Sequence, residues 1–177
     1  MSLPALAPEL SQVLSDLVID DALSARLARW SPLGQAALIN LTRTLALGTN
    51  KFRELAEWSD EIAQRDGQDP SAVLSDPDLL DILGNVKQSA PLRYKDARAY
   101  LFAQRFPELS RIKGQIDALI AEAKLPNDVS VQLPENLERN EIKVQFTVRT
   151  AADFKARLDK LAQLDVERML ACLSNPS

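Results

Sequence analysis

The spacing of the apolar positions changes from that of a strand to that of a helix near the C-terminal end of the chain. Between positions 141 and 149 every second residue is apolar, which predicts a strand with one buried face. The alternating residues are Ile142, Val144, Phe146 and Val148. After Thr150 the apolar residues fall at helical spacing, at Phe154, Leu158 and Leu161. The pattern therefore predicts a strand followed directly by a final helix, and further apolar positions extend this helix to Leu173.

A second alternating segment precedes this strand and supplies its partner. Val129, Val131 and Leu133 alternate with polar residues, and the polar stretch 134–140 separates the two segments. That stretch is too long for a two-residue turn but is compatible with an antiparallel pair. A sheet of two strands is marginal alone, so we predict that helices at 108–124 and 151–164 cover one of its faces.

The edges of such a sheet suggest how the protein functions. Unpaired strand edges present backbone donors and acceptors that another strand can bind. A third strand from a partner protein or from a second copy of the chain would satisfy them, which predicts a protein partner or a homodimer. The alternative is that loops or water satisfy these edge groups within a monomer.

Residues typical of helix starts and helix ends recur along the rest of the chain, which predicts a series of helices. Three pairs combine an N-cap residue with a proline at the first helical position: Ser31 with Pro32, Asp69 with Pro70, and Asp76 with Pro77. Glycines mark three predicted helix ends, at Gly48, Gly67 and Gly84. Gly114 interrupts the predicted helix 108–124, and we interpret it as a place where another helix approaches closely.

These elements predict a mainly helical α+β fold. It consists of a multi-helix body at 1–126 and a ββα unit at 127–177, which contains the two-stranded antiparallel sheet and the final helix and packs on the body. A chain of 177 residues buries roughly 70% of its unfolded surface, which is enough for a substantial core.

The composition excludes the catalytic chemistry that depends on histidine. Histidine is absent and Cys172 is the only cysteine, so neither His-based triads nor the usual zinc sites can form. No nucleotide-binding or nucleophile motif is present. We therefore predict no catalytic residue, no cofactor and no metal, and we favour a protein that is not an enzyme. Chemistry based on carboxylates alone remains as an alternative, and it would require a buried pair of acidic side chains.

Charge separates along the chain into an acidic and a basic segment. The acidic segment, Glu54 to Asp81, carries nine acidic residues and one basic one, whereas the basic segment, Lys87 to Lys113, carries seven basic and two acidic ones. Cations interleaved with aromatic rings are typical of nucleic-acid binding. The candidate residues for binding a partner or a nucleic acid are Arg93, Lys95, Arg98, Tyr100, Arg105, Arg111 and Lys113. Helical spacing favours the other interpretation, in which Tyr94 and Phe102 belong to the core and these cations line a solvated face opposite the acidic segment.

Three functional hypotheses remain. The first is a non-catalytic interaction, scaffold or adaptor protein that also associates with itself. The alternative is a nucleic-acid-associated accessory protein that uses the segment 87–113, and the second alternative is a carboxylate-based enzyme. No apolar run approaches the ~20 residues that span a bilayer, and the first residues do not resemble a signal peptide, so we expect a cytoplasmic protein without membrane association.

Overall fold

The computed structural model describes residues 5–133 and 141–174 and contains ten helices and two strands within them. The described helices are α1 (Pro8–Asp16), α2 (Asp21–Leu27), α3 (Pro32–Leu45), α4 (Thr49–Asp66), α5 (Pro70–Leu74), α6 (Pro77–Gly84), α7 (Ala90–Arg105), α8 (Pro107–Glu122), α9 (Ala151–Leu161) and α10 (Val166–Ser174). The strands β1 (Val129–Gln132) and β2 (Lys143–Phe146) lie between α8 and α9. The predicted mainly helical α+β fold with a small antiparallel sheet and a final helix is confirmed.

The helix starts follow from local capping. The Ser31 hydroxyl accepts a hydrogen bond from the backbone N–H of Gly34 at 3.0 Å, and Asp69 and Asp76 cap α5 and α6 in the same manner. Gly67 ends α4 in the left-handed conformation, at φ 63°. The role predicted for Gly48 is wrong, because Ala46 takes the left-handed position after α3 and Gly48 is the N-cap residue of α4.

The chain divides into two compact units, which we call the N-terminal unit (1–105) and the C-terminal unit (106–177). The sequence pattern predicts a boundary after residue 126. In the structure α8 groups with the sheet instead, because its apolar residues Ile112, Ile116 and Leu119 belong to the same buried cluster as Met169 and Leu173.

The N-terminal unit has one continuous apolar core, to which all seven of its helices contribute. The helices α3 and α4 are central: both pack against α5 and α7, and α3 also contacts α1 and α6. Several large side chains are fully buried there, among them Leu10, Leu38, Phe52, Leu55, Leu79 and Leu101. This core buries its apolar residues within the unit, while Val18, Leu33 and Val86 lie exposed outside it.

The C-terminal unit is built around an antiparallel pair of strands. Val129 lies opposite Phe146 and Val131 lies opposite Val144, so these four side chains share one face of the sheet. Val131 also packs against the buried cluster of α8 and α10. None of the side chains of α9 is buried.

The final helix is not continuous, so its predicted extension from Thr150 to Leu173 is wrong. The α9 helix ends at Leu161, and α10 begins at Val166. The carboxylate of Asp165 accepts a hydrogen bond from the backbone N–H of Arg168 at 3.0 Å, and this cap starts a new helix. The buried side chain of Leu164 occupies the turn between the two helices.

Two glycines allow a matched test of these local conformations. We expect Gly67→Ala to lower the free energy of unfolding by about 1 kcal/mol, because alanine is strained at φ 63°. We expect Gly114→Ala to raise it by about 0.5–1 kcal/mol, because Gly114 lies inside α8 and, apart from its chain neighbours and the nearby backbone of α8, no described atom lies within 4 Å of an added Cβ. This space also shows that the close approach predicted at Gly114 is wrong. Urea unfolding followed by circular dichroism measures both changes, and a loss of stability in Gly114→Ala would contradict the packing described for α8.

Candidate functional site

The structure divides the candidate basic residues between the two units. Arg93, Lys95, Arg98, Tyr100 and Arg105 lie on α7 in the N-terminal unit, whereas Arg111 and Lys113 lie on α8 in the C-terminal unit. On α7 they are distributed over both flanks of the helix and its outer side. The N-terminal unit therefore holds only five of the seven candidates, and their partners decide what those five can bind.

One flank of α7 is bound to the acidic helix α4. The Arg98 guanidinium donates to both carboxylate oxygens of Glu54, with Nε–Oε2 at 2.9 Å and Nη2–Oε1 at 2.8 Å. The Tyr94 hydroxyl donates to the same carboxylate at 2.9 Å. Arg105 forms an ion pair with Glu61 at 2.5 Å, and the guanidinium groups of Arg98 and Arg105 both lie over the ring of Trp58.

The other flank of α7 faces α6. Arg93 donates to the backbone carbonyl of Leu83 at 2.7 Å, near the end of α6. Burial, together with a hydrogen bond to Asp76, raises the pKa of Tyr100 to about 12. Lys95 is exposed on the outer side of α7. The contacts of α7 therefore favour the interpretation that the acidic and basic segments hold helices together.

The electrostatics of Glu54 show how strongly this carboxylate is engaged. Partial burial by itself would raise its pKa, but the hydrogen bonds from Arg98 and Tyr94 outweigh burial and hold the pKa below its ordinary value of 4.5. The hydrogen bond to Glu54 in turn raises the pKa of Arg98. Glu54 is therefore ionised near neutral pH and acts as a charged link between α4 and α7.

The two candidates on α8 belong to the C-terminal unit. Arg111 forms an ion pair with Glu108 of the same helix at 3.0 Å. Lys113 is half-buried and also takes part in an interaction. Both cations therefore already interact with other groups.

A cavity of about 330 Å³ in the N-terminal unit contains a buried carboxylate. Asp60 accepts a hydrogen bond from the indole Nε1 of Trp30 at 2.8 Å and another from Gln64 at 2.7 Å, and Arg26 lies 3.3 Å from its Oδ2. Asp60 is the only buried acidic residue in the described ranges 5–133 and 141–174, so no pair of buried carboxylates is assembled there. The same residues contain no group of three or more side chains that could hold a metal ion. The contacts of Asp60 are those of a structural link between α2 and α4.

The C-terminal unit exposes an apolar surface that the sequence interpretation missed. Four apolar side chains of β2, of the segment that follows it and of α9 remain accessible, with exposed fractions of 36% for Val144, 38% for Val148, 47% for Phe154 and 45% for Leu158. We call these four residues, together with Phe146, the apolar face. Phe146 is half-buried, and its ring lies 6.2 Å from that of Phe154. The prediction that α9 covers the sheet overestimated its contribution, although the short apolar stripe of α9 was already a signal of limited cover.

Polar contacts fix the position of α9, which contributes Phe154 and Leu158 to the apolar face. The hydroxyl of Thr150 caps the helix by accepting from the backbone N–H of Asp153 at 3.0 Å. Arg157 donates through Nε and Nη2 to Asp128, which precedes β1, at 2.9 and 2.8 Å. The helix is thus held in place while Phe154 and Leu158 stay accessible.

The outer edge of β2 adjoins the apolar face. In the part of the chain that the structure describes, β2 pairs only with β1. Its polar side chains, Lys143 and Gln145, point to the face of the sheet opposite Val144 and Phe146. An edge of β2 with which no other described strand pairs therefore occurs together with an accessible apolar surface.

Comparisons with protein-family models, curated proteins and solved structures found no match to this chain. Among the described residues, no helix combines the length and the apolar character needed to cross a bilayer.

The contacts of Glu54 lead to a stability prediction with a matched control. We expect Glu54→Gln to lower the free energy of unfolding at pH 7 by about 1 kcal/mol, because it removes the charged partner of Arg98 at a partly exposed site. Glu57→Gln makes the same change of charge one turn further along α4, where Glu57 makes no such contact with the described residues, and it should have little effect.

The effect of Glu54→Gln should also depend on pH. The pKa of Glu54 is lower in the folded than in the unfolded chain, so its contribution is present above pH 4.5 and is lost as the pH falls through the folded pKa. The difference between the wild type and Glu54→Gln should therefore shrink below pH 4.5. Urea unfolding at several pH values measures it, and a difference that stays constant into strongly acidic solution would contradict the role given to this carboxylate.

Proposed function

We propose that the chain is a non-catalytic protein–protein interaction protein that associates with itself through its C-terminal unit. The observation that carries this proposal is the accessible apolar face formed by β2, Val148 and α9. A contiguous exposed apolar surface is typical of an interaction site, whereas single exposed apolar side chains are normal.

The energetics of α9 support the proposal. A helix of 11 residues is marginal in water unless it buries an apolar side, and no side chain of α9 is buried. Its cap and its ion pair with Asp128 contribute, but both are exposed polar interactions of modest strength. Association that buries Phe154 and Leu158 would add apolar burial to the contact that Phe154 already makes with Phe146 within the chain.

The charge of the C-terminal unit is compatible with a second copy as the occupant. Residues 106–177 contain 11 acidic and ten basic side chains, so the unit is nearly neutral. Two such units can meet without strong repulsion between like charges. A strongly charged unit would instead favour a partner of the opposite sign.

The contacts do not favour the other two hypotheses. A nucleic-acid-associated function would require Arg98 and Arg105 to leave the carboxylates of α4 and to bind phosphates instead. A carboxylate-based enzyme would require a second acidic group near Asp60, where the neighbouring side chains are Trp30, Gln64 and Arg26.

The proposal predicts a dimer that depends on the apolar face. Sedimentation equilibrium of the full chain should give twice the chain mass of 19.6 kDa. Leu158→Glu should sediment as a folded monomer, because it places a charge on the face at a side chain that is accessible in the single chain. Leu33→Glu makes the same change at an exposed position of α3 and should remain a dimer. A wild-type chain that stays monomeric, or a Leu158→Glu variant that stays dimeric, would refute the proposal.

A further inference from the structure

The C-terminal unit has two strand edges at which a second copy could add, and they differ in character. The outer edge of β2 belongs to the segment 141–149, which has apolar residues at every second position and carries both signs of charge. The outer edge of β1 belongs to the shorter segment 128–133, in which Asp128 is already bound by Arg157. The two strands are equally long in the structure, and the charges of both signs beside β2 make its edge the one that offers the more specific pairing.

The alternation of side chains restricts the registers in which two copies of β2 can pair. Directly opposed residues of an antiparallel pair lie on the same face of a sheet. The apolar residues of the segment are all even-numbered, so even positions must lie opposite even positions if the apolar face is to continue. A symmetric antiparallel pair meets this condition only when the two-fold axis passes through a residue.

Charge then distinguishes among the axes that remain. An axis through Lys143 places two lysines opposite each other, and one through Phe146 places Lys143 opposite Arg149. An axis through Val144 places Glu141 opposite Thr147 and forms no charge pair. An axis through Gln145 places Glu141 opposite Arg149 at both ends once the pairing extends β2 beyond Lys143–Phe146 and removes the bend at Arg149, which gives two pairs of opposite charge.

From this register we infer that a second copy of the chain pairs with the outer edge of β2 in antiparallel orientation about a two-fold axis at Gln145. The strand order is then β1–β2–β2–β1 across the dimer. This inference rests on the proposed self-association and specifies how it occurs. Isologous contact of this kind is the commonest arrangement of homodimers.

The same register joins the apolar faces of the two copies. Val144 lies opposite Phe146 of the second copy, and Ile142 lies opposite Val148. The sheet thus becomes four strands wide, and strands from both copies lie beneath the side on which Phe154 packs against Phe146. Glu141 already takes part in an interaction within its own chain, but a carboxylate accepts several hydrogen bonds, so this interaction is compatible with a contact to Arg149.

Disulfide cross-linking in the full chain tests the arrangement. In a Cys172→Ser background, Gln145→Cys should form an intermolecular disulfide on mild oxidation, because residues opposite each other on the axis are about 4.5–5.5 Å apart at Cα. Ser130→Cys is the matched control: it lies opposite Gln145 on β1, on the same exposed polar face. Two copies of Ser130 would be separated by three strand spacings, roughly 14 Å, which is too far for a disulfide.

A charge exchange tests the register itself. Glu141→Arg and Arg149→Glu should each raise the dissociation constant about tenfold, because each places like charges opposite each other at two symmetric positions. The double variant Glu141→Arg with Arg149→Glu restores opposite charges and should bind within about threefold of the wild type. A double variant as weak as the single ones would overturn the register.

The outcomes separate this inference from the proposed function. A dimer that cross-links through Gln145→Cys and not through Ser130→Cys supports both. A dimer that cross-links through Ser130→Cys, or through neither variant, overturns the pairing at β2 and leaves self-association standing. A wild-type chain that is monomeric overturns both.

Discussion

A sheet of two strands is too narrow to bury its own apolar face. This constraint determines which side chains of the C-terminal unit other elements cover and which stay exposed. The buried cluster of α8 and α10 covers Val131, while α9 reaches the sheet through the contact of Phe154 with Phe146. Val144, Val148 and Leu158 are left accessible beside an open strand edge. Since apolar burial is the main source of stability for such small elements, the sheet and α9 both gain from a further strand. The self-association that we propose at β2 would provide that strand, and it would require no side chain that the unit does not already present.

The N-terminal unit is stabilised in a different way. Its core is complete, and its polar groups are used to link helices. Glu54 joins α4 to α7 through Arg98 and Tyr94, and Asp60 joins α2 to α4 through Arg26. A buried or partly buried carboxylate that loses its partner costs more than the pair contributes, so these contacts specify how the helices pack. Segregation of charge along the sequence, which resembles a binding surface when it is considered alone, is here the means by which neighbouring helices attract one another.

Local patterns predicted the secondary-structure elements well. Interactions between distant segments determine which charged side chains are paired and which apolar side chains are exposed, and local patterns did not predict these. The caps at Ser31, Asp69 and Asp76 act as the sequence indicated, because each bond spans three residues or fewer. The break between α9 and α10 was missed because apolar residues keep a helical spacing across Leu164, although Asp165 caps a new helix. The partners of Arg98 and Arg105 lie 44 residues away in the chain, so no local pattern identifies them. Exposure of the apolar face depends on how many strands the sheet contains, which alternation alone does not reveal.

Pairing of the two β2 strands is tested most directly by nuclear magnetic resonance on a dimer of mixed labelling, in which one copy carries ¹³C-labelled valine and the other is unlabelled. Methyl groups of Val144 in the labelled copy should show intermolecular nuclear Overhauser effects to the aromatic ring of Phe146 in the unlabelled copy, because these residues lie opposite each other about the axis at Gln145. A dimeric sample in which the Val144 methyl groups show contacts only within their own chain would contradict the pairing.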